Sequence, residues 1–125
     1  MTKSERLNNL YKKYNLGTED TFKSPQGWTI ITRSGIDAIQ ASANIDIKYD
    51  TIVVEKDFVV IKATGNYGDK TIETFGEADR NSNCRQTYPV AMAEKRAMSR
   101  VVLKLSGFYE LGVFGEDESD DFKRR

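Results

Sequence analysis

The chain has 125 residues, with 19 Lys and Arg balanced by 19 Asp and Glu, no histidine and a single cysteine. That length predicts one domain, and 38% hydrophobic content beside 30% charge predicts a modest core under a heavily charged surface. Without histidine there is no Ser-His-Asp triad, Cys-His pair or His-ligated zinc, and the lone Cys84 cannot form an intrachain disulfide and suits a reducing compartment.

In chain order, Thr2-x-x-Glu5 can form a capping box. Leu7, Leu10, Tyr11 and Tyr14 then follow the spacing of one apolar helix face, and Gly17 suits the left-handed stop. Residues 18–27, with Pro25 and Gly27, read as a loop, and Trp28–Thr32 as a strand. Ser34-x-x-Asp37 can cap a short helix that turns Ile36, Ile39 and Ala43 inward. Ile45, Ile47 and Tyr49 alternate with Asp46, Lys48 and Asp50 as in a half-buried strand, which Ile52–Val54 continue past a kink or bulge. Phe58–Thr64 and Thr71–Ala78 read as a hairpin joined through Gly65-Asn66-Tyr67-Gly68-Asp69. Residues 79–87 form a polar loop. Pro89 suits the first turn of a helix that runs to about Leu105 and ends at Gly107.

This order predicts an α+β fold: a small antiparallel sheet of three or four strands, a long C-terminal helix packed across it, and N-terminal helices. Residues 1–115 form the domain, and 116–125 an acidic, disordered tail. No apolar stretch has the length of a signal peptide or a membrane span, so the expectation is a soluble cytoplasmic protein with no membrane partner.

Zero net charge hides a strong asymmetry. Residues 80–104 contain six bases and one acid, Glu94, whereas residues 116–121 contain five acids and no base. On the long helix Val90, Ala91, Met98, Val101, Val102 and Leu105 form one stripe, and Glu94 falls within it. Arg96, Arg100 and Lys104 recur every four residues on another flank, where like charges repel unless a polyanion joins them. Arg80 and Arg85 in the preceding loop, Tyr88 at the helix start and Lys95 add cations and an aromatic face. Single-stranded nucleic acid requires that combination, with cations for phosphates and π-faces for bases.

Tyr67 at the hairpin tip is a further stacking candidate, whereas Tyr49, Phe58 and Phe75 read as core. Asp46-x-Lys48 with Asp37 matches a metal-nuclease pattern, but strand alternation explains the same residues as a wet face. No phosphate-cradling GxxxxGK[ST] is present, so P-loop ATP hydrolysis is unsupported. The expectation is a binding protein without catalysis or cofactor, with the metal nuclease as the less favoured alternative. A protein-interaction module is the principal alternative, with the acidic tail as a possible partner-recruiting segment.

Thr74-Phe75-Gly76-Glu77-Ala78, a polar loop, then Tyr88 through Ala97, Arg100, Leu103 and Gly107 before an acidic end, resembles the phage single-strand annealing proteins of the Erf/RecT/Redβ group. The resemblance spans roughly residues 35–121. It implies ATP-independent binding of single-stranded DNA by a homo-oligomer and the pairing of complementary strands in recombination. By position it places Arg96, Arg100 and Lys104 beside the DNA, with Arg80 and Arg85 in the loop before them.

Overall fold

The Thr2 hydroxyl accepts a hydrogen bond from the Glu5 amide at 3.1 Å and so starts α1 (Lys3–Lys13), as the capping pattern requires. The computed structural model describes residues 1–81, 84 and 89–118. Asn15, at φ +57°, rather than Gly17 turns the chain after α1. A short polar side chain tolerates the left-handed region, and Gly17 keeps an ordinary negative φ. The cap of α2 (Arg33–Ala43) is Thr32, whose hydroxyl accepts from the Gly35 amide at 3.2 Å. The Ser34 hydroxyl, expected in that role, donates instead to Asp20 at 3.0 Å.

The described residues form two sheets. In the smaller one, β1 (Thr21–Lys23) pairs antiparallel with β2 (Thr29–Ile31), and β2 pairs parallel with β6 (Phe114–Gly115). In the larger, β3 (Asp46–Val54), β4 (Phe58–Tyr67) and β5 (Lys70–Asp79) form an antiparallel meander in that order. The expected irregularity in β3 is a bulge between Thr51 and Val53. The hairpin is tighter than its composition suggested: Tyr67 faces Lys70, and only Gly68 (φ +58°) and Asp69 form the turn.

Val59, Ile61, Ala63 and Gly65 alternate along β4 toward α3 (Pro89–Ser106), which lies across the larger sheet as anticipated. On its other side α3 meets α2 and β6, where Gly115 abuts Ser99. The helix is consequently buried almost all round. Ile36, Ile39, Ala97, Val101, Leu103, Phe108 and Val113 share one core, and Cys84 joins Val59, Ile61 and Met92 in a second, smaller cluster. Contrary to the expected stripe, Glu94 and Val90 are exposed, as are Tyr49, Phe58 and Phe75. α3 covers β5 and β4 but scarcely reaches β3, which leaves Tyr49 half uncovered; Phe58 and Phe75 occupy the sheet face away from the helix.

Close approach of α3 to β5 fixes this geometry. A Cβ on Gly76 would overlap the Ala93 carbonyl and the Ala97 amide, and the Thr74 hydroxyl donates to the Ala97 carbonyl at 2.7 Å. No flexible side chain stands there to yield. Gly76→Ala is therefore expected to destabilise the domain by about 3 kcal/mol, the upper end of overpacking costs. A urea denaturation midpoint equal to that of the parent would contradict the packing.

Candidate nucleic-acid interface

The arginines of α3 do not form a free basic face. Arg96 is 1% exposed; its Nη1 donates to the Glu77 carbonyl at 2.8 Å and its Nε to the Asp117 carbonyl at 3.4 Å. Arg100 donates to the Phe75 carbonyl at 2.6 Å, grips the Glu77 carboxylate with both Nη atoms at 3.2 Å, and reaches Glu118 at 2.9 Å. Burial works against the Arg100 charge. The carboxylates of Glu77 and Glu118 outweigh it and hold the guanidinium protonated beyond its ordinary range.

The reason is structural. β5 is an edge strand, and these two side chains cap its carbonyls while the second sheet and residues 116–118 close over them. The expectation that Arg96 and Arg100 face a polyanion is thereby corrected. Arg80 is exposed and contacts Asp57 at 3.4 Å, and Lys95 is half-buried. Arg85 and Tyr88 lie outside the described residues.

The acidic run begins as part of the domain, not as a tail. Glu116–Glu118 form a helical turn in which Glu116 accepts from the Arg33 amide at the start of α2 (2.8 Å), and Asp117 accepts from Ser99 (2.9 Å). The expected disorder of the remainder concerns residues 119–125, outside the described residues. Asp46 and Lys48 stand on the solvent side of β3, and Asp37 pairs with Arg33 at 3.5 Å. Among the described residues no three metal-ligating side chains cluster, and no helix is long and apolar enough to cross a membrane.

Lys104 alone of the α3 cations is exposed and without a carboxylate partner among the described ion pairs. It sits in the last turn, where the helix dipole favours a cation. Lys104 opens onto a cleft of about 640 Å³ formed by the end of α1, the β4–β5 turn, the end of α3 and the turn at Tyr109–Leu111. Three lysines, Lys13, Lys70 and Lys104, share its lining with Tyr14, Tyr67 and Tyr109, against the two carboxylates of Asp69 and Glu110. Cations and rings alternate: Lys13 Nζ lies 5.4 Å from the Tyr14 ring and 5.9 Å from that of Tyr67, and Lys104 Nζ lies 5.1 Å from that of Tyr109.

Sequence reading found Lys104 and Tyr67 but missed Lys13, Tyr14, Lys70 and Tyr109. Lys12-Lys13 at a helix end and Lys70 after the Gly-Asp turn were the only local signals.

The Tyr14 hydroxyl is buried at the cleft floor and satisfies no hydrogen bond in distance and angle, although it stands beside the Tyr67 hydroxyl. Burial raises its pKa above the ordinary tyrosine value, whereas the Tyr14 hydroxyl and then Lys13 and Lys70 lower that of Tyr67. The outer face of the large sheet is a poorer site for a polyanion. Asp46, Asp50, Glu73, Glu77 and Asp79 outnumber Lys48 and Lys62 there. No family model, curated protein or solved structure matches the chain.

Two outcomes follow from this geometry. Arg96→Ala strands two carbonyls and leaves a hole, and is expected to cost about 2–4 kcal/mol in chemical denaturation. Tyr14 ionises less readily folded than unfolded, so the stability it contributes is complete below about pH 10 and declines as pH rises further, and the smaller opposite shift of Tyr67 offsets only part of that decline. Thermal melts should show that alkaline decline, and Tyr14→Phe should lessen it.

Proposed function

We propose that the protein binds single-stranded DNA along the lysine–tyrosine cleft, without catalysis or cofactor, and promotes annealing of complementary strands as an oligomer. One observation carries this reading: Lys13, Lys70 and Lys104 converge with Tyr67 and Tyr109 in a single open cleft. Ammonium groups on flexible stems neutralise phosphates and release their counterions, and tyrosine faces stack bases of any identity. Backbone-directed binding of this kind leaves base edges available for pairing. The resemblance of roughly residues 35–121 to phage single-strand annealing proteins supports the same activity, with the contact surface moved from Arg96 and Arg100 to Lys104 and its neighbours.

A second reading, a protein-interaction module, draws on the exposed Phe58 and Phe75 set among carboxylates on the outer sheet face. Such a surface suits a basic protein partner and not a nucleic acid.

Fluorescence anisotropy of a labelled oligothymidylate separates the two. The wild-type constant should fall steeply with salt. Replacing Lys13, Lys70 and Lys104 together by Ala should flatten the log K against log salt slope by roughly 0.7 per lysine. Tyr67→Ala should weaken binding by about 1–3 kcal/mol. Absence of binding at low salt, or a triple variant with unchanged affinity and slope, would remove the DNA reading.

A further inference from the structure

The larger sheet has two edges of opposite character. Along β5, Arg96 and Arg100 occupy the Phe75 and Glu77 carbonyls. Along β3, no described residue pairs with the outer side of the strand, and three apolar side chains stand uncovered: Tyr49 at 40% exposure, Ile52 at 52% and Val54 at 59%. Exposed edges invite further strands, and proteins usually blunt them with bulges or like charges. Here the bulge comes only after Thr51, and the charges before it alternate in sign as Asp46, Lys48 and Asp50.

We propose that the β3 edge is a subunit interface at which a second copy of this chain adds antiparallel, joining two three-stranded sheets into one of six strands. Charge and the length of strand paired together select the register. A twofold axis through the sheet pairs residues of the same face, so one residue meets its own copy at the centre. Centring on Lys48 sets Lys against Lys and Asp46 against Asp50. Centring on Asp50 sets Asp against Asp. Centring on Tyr49 places Lys48 opposite Asp50 of the other copy twice, with the two Tyr49 rings adjacent on the helix side. Centring on Ile47 also matches charge, but it pairs only the first few residues of the strand. Because β5 is capped, a head-to-tail array through β3 and β5 is blocked, and the assembly closes as a dimer.

This inference gives a geometry to the oligomer of the proposed function, yet it is tested separately from strand binding: the association requires no nucleic acid, and a monomer that still binds oligothymidylate would overturn the dimer alone. Light scattering of the full chain alone at ~100 µM, a concentration suited to a micromolar constant, should give twice the 14.2 kDa chain mass. Lys48→Asp faces two acids with two acids and should raise the dimer dissociation constant at least tenfold, as should Asp50→Lys. The exchange Lys48→Asp with Asp50→Lys should return it to within about threefold of wild type, since both attractions reappear. Lys62, opposite Asp50 within the chain, keeps Glu73 at 3.9 Å, so the exchanged strand retains a partner arrangement on β4. Circular dichroism confirms folding of each variant. A monomeric wild type, a Lys48→Asp dimer of undiminished strength, or a folded double variant that stays monomeric would each overturn the proposal.

Discussion

Everything in this molecule is arranged around the near-contact of α3 with the edge strand β5. Gly76 removes the side chain that would hold the two apart, and Ala93 and Ala97 present bare backbone to it. At that distance the outward carbonyls of β5 lie within reach of the helix side chains, and Arg96 and Arg100 take them. A buried guanidinium is tolerable only when its donors are engaged, so the contact demands further acceptors. Asp117 and Glu118 provide them from the far end of the chain. The smaller sheet follows from the same need: β6 carries the chain past Ser99 so that residues 116–118 can reach the arginines.

Local chemistry made much of the fold legible. The Thr2 cap, the β4–β5 hairpin, the bulge in β3 and the span of α3 each follow from a turn residue, a capping pair or a period of two that acts within a few neighbours. Of the second sheet only β2 was legible, from the β-branched and aromatic run at 28–32; β1 and β6, of three and two residues, are too short to show alternation, so the sheet itself was not. That omission spread. With only one sheet in view, α3 reads as half-exposed, and cations four apart read as a free face. Arg96 shows the limit: periodicity places a residue on a flank, but only tertiary packing says whether that flank is covered. Composition misled in the same way at Glu116–Glu118, where an acidic run that resembles a solvated tail is a set of hydrogen-bond acceptors.

The candidate cleft is harder still to read from sequence, since its residues come from positions 13–14, 67–70 and 104–110. No local pattern links the end of the first helix to the tip of a hairpin and to the end of the last helix. Lys104 was visible through its spacing of four from Arg100, and Tyr67 through its place at the hairpin turn. Their neighbours required the topology.

The two kinds of cation divide the labour by chemistry. Planar guanidinium groups with several fixed donors suit carbonyls and carboxylates that never move, and Arg96 and Arg100 are placed on such acceptors. Lysine ammonium groups suit a partner that arrives, slides and leaves, because a point charge on a flexible stem imposes little geometry. Lys13, Lys70 and Lys104 are therefore the cations the proposal assigns to a mobile phosphate chain, and the position of Lys13 and Lys104 over tyrosine rings keeps those two near the cleft without fixing them there. The same division governs the strand edges. On β5 arginine closes the backbone permanently, whereas on β3 alternating carboxylate and ammonium groups leave it open to a partner with the same alternation. A polyanion lacks the ammonium group that Lys48 of a second copy would set against Asp50, so under the two proposals nucleic acid and a second copy would not compete for one surface.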